Sequence, residues 1–79
     1  MQRPSPPERG PVAIVGAGLI GRAWAIVFAR AGHPVRLHDM DLHTLHSSHA
    51  YIEARLGELA EFELIDEAPG TVLARITCV

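Results

Sequence analysis

Apolar residues in the first half of the chain group into short segments separated by glycine and proline. The run Val-Ala-Ile-Val at residues 12–15 is typical of a strand that is buried on both faces of a parallel sheet. Residues 19–31 are rich in alanine and long apolar side chains and contain no proline, which predicts a helix that stops at Gly32. Pro34 cannot continue that helix, and residues 35–38 then predict a second strand.

The second half of the chain predicts a longer helix and a third strand. Over residues 41–63, one stripe recurs at alternating spacings of three and four and is interrupted by a histidine: Leu42, Leu45, His49, Ile52, Leu56 and Leu59. Asp41 is a good N-cap, whereas Gly57 costs about 1 kcal/mol relative to alanine and weakens the prediction of an unbroken helix. Residues 66–70 have the composition of a loop, and residues 71–77 are apolar and β-branched enough for a strand.

Three glycines lie at the junction of the first predicted strand and the first predicted helix, two before the helix and one in its first turn. Gly16 allows a sharp turn, Gly18 lets the backbone approach a pyrophosphate, and Gly21 lets the helix pack close to the strand. The free amides near Leu19 and Ile20 would then face the phosphates at the positive end of the helix dipole. This order of elements predicts a partial Rossmann fold, an α/β domain with a parallel β-α-β-α-β sheet that forms an incomplete dinucleotide-binding domain.

Asp39 ends the second predicted strand, about 20 residues past the glycines. A carboxylate at that point accepts hydrogen bonds from both hydroxyls of the adenosine ribose and would repel a 2′-phosphate, which favours NAD over NADP. Asp39 could instead cap the next helix, but Asp41 can fill that role equally well. The predicted cofactor site therefore consists of Gly16, Ala17, Gly18, Leu19, Ile20, Gly21 and Asp39.

Composition limits the classes of partner. The chain has 79 residues, a hydrophobic fraction of 48 % that is too high for disorder, and a net charge of −2 that argues against nucleic acid. Cys78 is the only cysteine, so no internal disulfide can form and a reducing, cytoplasmic setting is expected. No apolar run reaches the roughly 20 residues that span a bilayer, so no membrane partner is expected. Residues 1–11 are predicted to be a disordered lead to a domain over residues 12–79.

Three histidines, His43, His46 and His49, lie three residues apart on the predicted second helix. A helical metal pair usually has a spacing of four and a third ligand. Because neither a cysteine nor a patterned carboxylate completes the set, we predict surface histidines and no metal site.

Residues 12–33 read Val-Ala-Ile-Val-Gly-Ala-Gly-Leu-Ile-Gly-Arg-Ala-Trp-Ala-Ile-Val-Phe-Ala-Arg-Ala-Gly-His. This stretch resembles the NAD-binding domain of the 3-hydroxyacyl-CoA dehydrogenases, and its Gly-Arg-Ala-Trp segment is most similar to the lambda-crystallin and L-gulonate 3-dehydrogenase branch. Residues 62–65 and 72–76 resemble the family's approach to its third strand. The resemblance implies that the glycine turn and Asp39 hold NAD. It also implies a parent oxidoreductase of fatty acid metabolism that oxidises the 3-hydroxy group of a 3-hydroxyacyl-CoA or a related small hydroxy acid.

The same resemblance places the catalytic groups outside this chain. The family's catalytic histidine, paired with a glutamate, lies past the third strand, and none of the five histidines here matches it, so no catalytic residue is assigned. The family's all-helical C-terminal domain, which shapes the acyl site and forms the homodimer, is also expected to lie beyond this chain. We therefore expect residues 12–79 to be the N-terminal half of a truncated NAD-binding domain, inactive and poorly stable alone.

Alternatives from other classes stay open at this point. FAD-dependent oxidoreductases begin with a very similar glycine turn, although they typically place glutamate after the second strand. A non-enzymatic nucleotide-binding or crystallin-like protein would have the same fold, and only a downstream histidine–glutamate pair would distinguish an enzyme from it. A truncated product without an independent role is a third alternative.

Overall fold

The computed structural model describes residues 10–79. The predicted disordered lead over residues 1–11 therefore lies outside the described residues, except for its last two. The elements follow one another as strand β1 (Val12–Val15), helix α1 (Leu19–Arg30), strand β2 (Val35–His38), helix α2 (Leu42–Glu61), helix α3 (Pro69–Leu73) and strand β3 (Ile76–Cys78). The first two strands and the first helix agree with the predicted bounds to within one residue.

The three strands form one parallel sheet in the order β1-β2-β3. The register aligns Val12 with Val35, and Val35 in turn with Ile76. Because the strands are parallel, their carboxyl ends meet at one edge of the sheet, where ligands bind in open α/β sheets. The predicted α/β class and partial Rossmann topology are confirmed.

The core lies between one face of the sheet and the helices. Along β2, Val35 and Leu37 are buried while Arg36 and His38 are exposed, so only alternate side chains face the core. The buried apolar set is Ala17, Ala25, Ile26, Ala29, Val35, Leu37, Leu45, Ile52, Leu56, Val72 and Ile76. All six elements contribute to this layer or pack against it, so the sheet has one covered face.

The prediction that β1 is buried on both faces is wrong. Val15 is 83 % exposed and Ala13 is also exposed, whereas Val12 and Ile14 are half-buried. Among residues 10–79, β1 pairs only with β2, and the buried strand side chains belong to a single face. A run of apolar residues indicates that both faces of a strand can be buried. Burial of the second face also requires another layer of structure packed against it.

The segment around Pro69 also differs from its prediction. Residues 69–73 form α3, where a loop and the start of a strand were expected, and β3 covers only residues 76–78. Pro69 lies in the first turn, where its fixed φ suits a helix and its missing N–H costs nothing. The carbonyl of Ala68 accepts hydrogen bonds from the amides of Thr71 (3.0 Å) and Val72 (3.3 Å). Burial of Val72 then outweighs the strand preference of its β-branched side chain.

Helix α2 is continuous through Gly57, as the helical pattern over residues 41–63 predicts. Asp41 caps it as predicted, because its carboxylate accepts hydrogen bonds from the amides of His43 (2.9 Å) and Thr44 (3.4 Å). The buried stripe differs from the predicted one, since Leu42 is 69 % exposed. The buried positions of α2 are Leu45, Ser48, Ile52 and Leu56, so a serine takes the place expected for His49. No helix within residues 10–79 has the length and apolar character to cross a bilayer.

Candidate cofactor-binding site

The glycine turn starts at Gly16, directly after β1. Its φ of +101° lies in the left-handed region, which side-chain-bearing residues rarely adopt. Its amide donates to the carbonyl of His38 (2.7 Å), which ties the turn to the end of β2. The predicted sharp exit from the strand is therefore confirmed, and the turn lies at the carboxyl edge of the sheet.

Gly21 lies where helix α1 crosses this turn. A Cβ atom on Gly21 would be 1.7 Å from the carbonyl oxygen of Gly16 and 3.5 Å from Cγ2 of Ile14. The first distance is far inside van der Waals contact, so no other residue fits without moving the backbone. This contact confirms the close packing that was predicted for the third glycine of the motif.

Gly18 differs from the other two glycines of the motif, Gly16 and Gly21, because no contact within the protein requires a glycine at this position. Its φ of −72° is ordinary, and a Cβ atom would meet no atom within 4 Å. The space over its Cα is open, and the residue is exposed. A side chain at this point would occupy the space that a phosphate needs in order to reach the backbone.

The first turn of α1 presents amides that have no helical acceptor. The first helical hydrogen bond runs from the amide of Arg22 to the carbonyl of Gly18 (3.0 Å), so the amides of Leu19, Ile20 and Gly21 precede it. Gly18 is the N-cap and supplies no side-chain hydrogen bond, and the first turn contains no acidic residue. These groups, together with the helix dipole, fit an anionic diphosphate.

Asp39 lies against the glycine turn. One carboxylate oxygen, Oδ2, accepts a hydrogen bond from the amide of Ala17 (2.8 Å), and the other, Oδ1, accepts one from the amide of Asp41 (2.8 Å). These bonds, chiefly the one from Asp41 and then the one from Ala17, hold the pKa of Asp39 below its ordinary value. The carboxylate is thereby kept ionised and oriented beside the turn, while Asp41 rather than Asp39 caps α2.

Ser48 also contacts the glycine turn, and the sequence analysis did not single it out. It is buried in α2, and its hydroxyl donates a hydrogen bond to the carbonyl oxygen of Ala17. A signal was present in the sequence, because Leu45, Ser48 and Ile52 are spaced as one helical face. A serine at a core position of a helix needs a buried acceptor.

The three histidines of α2 differ in their exposure. His43 and His46 are exposed, as predicted, and His49 is half-buried. His46, His49 and Cys78 line a cavity of about 210 Å³, and burial raises the pKa of the Cys78 thiol. Nowhere in residues 10–79 do three His, Cys, Asp or Glu side chains come together in a way that could hold a metal ion.

The sequence of the chain matches a known family over nearly its whole length. A sequence model described as "3-hydroxyacyl-CoA dehydrogenase, NAD binding domain" matches residues 11–79. A probable 3-hydroxybutyryl-CoA dehydrogenase from Deinococcus radiodurans is 40 % identical over 63 residues, which is 80 % of this chain and 23 % of that protein. A lambda-crystallin homolog from Bos taurus is 51 % identical over 41 residues, which is 52 % of this chain and 13 % of that protein.

Solved structures show the same fold. The crystal structure of 3-hydroxybutyryl-CoA dehydrogenase from Escherichia coli superimposes with a TM-score of 0.81 at 30 % identity, over 90 % of this chain and 15 % of that one. The (S)-3-hydroxybutyryl-CoA dehydrogenase from Ralstonia eutropha gives 0.79 at 31 % identity, over 87 % of this chain and 25 % of that one. The chain spans a quarter or less of the length of each of these relatives.

These matches agree with the resemblance and favour NAD over the flavin alternative, since the matched domain is described as NAD-binding. The chain belongs to the 3-hydroxyacyl-CoA dehydrogenase family, of which it carries the NAD-binding domain sequence from residue 11 onward.

Proposed function

We propose that Gly16, Ala17, Gly18, Leu19, Ile20, Gly21 and Asp39 bind NAD. The observation that carries this proposal is the 2.8 Å hydrogen bond from the amide of Ala17 to Asp39, which joins the acid after β2 to the glycine turn. The amides of Leu19 and Ile20 would hold the diphosphate, and the open space over Gly18 would admit it. Asp39 would accept hydrogen bonds from the ribose hydroxyls through lone pairs that the two backbone amides leave free.

Asp39 would also exclude NADP. Its pKa is held below the ordinary value by backbone hydrogen bonds, so the carboxylate is charged at neutral pH. A 2′-phosphate on the ribose would meet this charge at close range, and no cation of the described chain is hydrogen-bonded to Asp39 to offset it. The predicted preference for NAD therefore has an electrostatic cause.

The parent protein would oxidise the 3-hydroxy group of a 3-hydroxyacyl-CoA or a related small hydroxy acid. When bound at this site, the nicotinamide cofactor would supply the acceptor for the hydride that leaves the carbon bearing the hydroxyl group. Residues 10–79 would bind and orient the adenosine and diphosphate half of the cofactor. They supply no assigned base for the alcohol proton, so we expect the 79-residue chain alone to bind the cofactor but not to catalyse.

The organisation and setting of the whole protein are proposals as well. We propose that residues 12–79 are the N-terminal half of an NAD-binding Rossmann domain, because the chain spans a quarter or less of its relatives and β1 has an uncovered face. Fatty acid metabolism, a cytoplasmic setting, and a homodimer formed by a C-terminal helical domain are proposed with it, as is the absence of nucleic acid and membrane partners.

Substitution of Asp39 tests the proposed site. In the full-length protein, Asp39→Ala should weaken NAD binding by about ten- to a hundredfold, since it removes hydrogen bonds to a charged group, and should relax the rejection of NADP. Isothermal titration calorimetry with both cofactors measures both effects. Asp66→Ala, in the exposed loop before α3, is the control and should leave both affinities unchanged.

Unchanged NAD affinity and unchanged cofactor preference in Asp39→Ala would refute the role of this acid. Reduction of NAD by the full-length protein with 3-hydroxybutyryl-CoA would then separate an enzyme from a non-enzymatic relative of the same fold. Tight NAD binding without such turnover across a range of 3-hydroxyacyl-CoA substrates would favour the non-enzymatic alternative.

A further inference from the structure

Ala17 lies at the centre of the glycine turn and is fully buried. Its amide donates to Oδ2 of Asp39 (2.8 Å), and its carbonyl oxygen accepts a hydrogen bond from the Ser48 hydroxyl. Asp39 lies in the loop after β2, and Ser48 lies in the second turn of α2. Ala17 is therefore held by two separate parts of the chain. The turn is therefore anchored on both sides of Ala17.

The two anchors set the orientation of two peptide planes. A trans peptide is planar, and its C=O and N–H groups point in opposite directions; residues 10–79 contain no cis peptide. The amide of Ala17 points to Asp39, so the carbonyl of Gly16 points the other way, toward the place where a Gly21 Cβ would lie. The observed directions of the Ala17 amide and the Gly16 carbonyl thus agree with a planar trans peptide, and the same relation applies to the next peptide.

The next peptide joins Ala17 to Gly18. Its carbonyl points toward Ser48 inside the protein, so the Gly18 amide must point away from α2. That direction is the exposed side of the turn, where nothing within 4 Å would meet a Cβ on Gly18. A flip of this plane would turn the amide inward and present a carbonyl oxygen to an incoming anion.

We propose that Ser48 is a positioning residue for the diphosphate of the cofactor. Its hydroxyl holds the Ala17–Gly18 peptide so that the Gly18 amide faces the phosphates. The inference rests on the proposed NAD site and adds a residue, contributed by α2, that does not itself touch the cofactor.

The burial of Ser48 supports this role. It shares the buried face of α2 with Leu45 and Ile52, where an alanine would suit both the helix and the apolar surroundings. A hydroxyl group at such a position is costly unless it is hydrogen-bonded, and its recorded hydrogen bond goes to Ala17. The packing of α2 gives no other reason for the hydroxyl group.

The test compares ligands with and without phosphates. In the full-length protein, Ser48→Ala should weaken NAD and ADP binding by about tenfold, which is the loss of one oriented hydrogen bond. Adenosine, which lacks the diphosphate, should bind as it does to the unchanged protein. Calorimetry measures NAD and ADP, and ligand-observed NMR measures adenosine.

Ser47→Ala is the matched control, because Ser47 is the exposed neighbour on the same helix. It should change none of the three affinities. If Ser48→Ala does not fold, Ser48→Cys takes its place in the test. The cysteine side chain has a similar shape and replaces a strong hydrogen-bond donor with a weak one.

Two results would overturn the inference. Wild-type affinity of Ser48→Ala for ADP would show that the hydroxyl group does not position the turn. An equal loss of ADP and adenosine binding would show a general structural role instead. If the unchanged protein and Ser47→Ala bind neither NAD nor ADP, the proposed function itself has failed, and this inference fails with it.

Discussion

The two ends of helix α1 differ in how their backbone groups are satisfied. At the C-terminal end, Gly32 adopts a φ of +94° and donates to the carbonyl of Ala29 (3.1 Å), while His33 donates to Phe28 (3.0 Å). This pattern is a Schellman motif. Arg75, the residue before β3, supplies a third donor at the same end. Its guanidinium group donates a hydrogen bond to the carbonyl oxygen of Ala29 (3.0 Å).

At the N-terminal end, the first backbone amides have no hydrogen-bond acceptor within the helix. Gly18 caps the end without a side chain, and the amides of Leu19, Ile20 and Gly21 precede the first helical hydrogen bond. The side chains of Leu19 and Ile20 are exposed and do not cover them. The same helix thus has a closed end, at residues 28–33, whose backbone groups are bonded within the protein, and an open end, at residues 18–21, whose amides have no acceptor within the helix.

The charged groups near the two ends follow the same division. At the closed end, Arg75 forms an ion pair with Glu67 through both of its terminal nitrogens, which lowers the pKa of Glu67. At the open end, Asp39 is ionised, and its two recorded hydrogen-bond donors are backbone amides. A charge that is paired within the chain stabilises the fold, whereas a charge with free acceptor sites is available to a ligand.

The largest expected effect comes from a methyl group added at Gly21, in the first turn of α1. Gly21→Ala would place Cβ 1.7 Å from the Gly16 carbonyl oxygen and should lower the free energy of unfolding by about 3 kcal/mol, with loss of NAD binding. Gly57→Ala is the matched control, in a helix position with open space, and should raise stability by about 0.5–1 kcal/mol. Urea unfolding and calorimetry measure both effects. A stable Gly21→Ala variant with normal NAD affinity would show that the close approach is not required.

A smaller effect is expected at the closed end. Arg75→Ala removes the ion pair with Glu67 and the bond to Ala29, and should lower the Tm by several degrees without changing NAD affinity. Arg55→Ala breaks an exposed pair with Glu58 and should leave the Tm unchanged. Thermal melts with and without NAD test this division. A clear loss of NAD affinity in Arg75→Ala would mean that the two ends are coupled.

The smallest expected effect is a dependence on pH at the open end. The pKa of Asp39 is held below its ordinary value of 3.8 in the folded chain, so its charged form stabilises the fold above that pH. This contribution is lost as the pH falls through the lowered pKa. The Tm difference between the unchanged protein and Asp39→Asn should therefore be constant above pH of about 5 and should shrink on further acidification. A difference that stays constant down to pH of about 2 would contradict the assigned cause.

Local chemistry explains which predictions from the sequence succeeded. Gly16, Gly32 and Asp41 have roles that depend on their own dihedral angles or on amides two or three residues away. The end of β2 brings Asp39 next to the turn, because consecutive parallel strands in a β-α-β unit pair in register. These features were predicted correctly without any knowledge of distant contacts.

The failures share the opposite cause. The β-branched residues of the segment 71–73 suggested a strand, but the burial of Val72 and the proline before it favour a helix. Val15 reads as a core residue, yet the described chain has nothing that covers it. Gly57 weakened the prediction of a continuous α2, but the packing of Leu56 and Ile52 outweighs the cost of one glycine in the helix.

The sequence alone determined the order of the three strands and the two long helices, the glycine turn and the acid that follows the second strand, because each depends on steric and electronic properties of a few adjacent residues. Only the tertiary structure decided that Ser48 holds Ala17, that Arg75 closes the far end of α1, and that one face of β1 stays exposed. The partners in these contacts lie 31 and 46 residues apart along the chain, so no local pattern contains them. They exist because the packed helices and strands bring the partners together. The hydrophobic pattern drives this packing but does not specify the individual contacts.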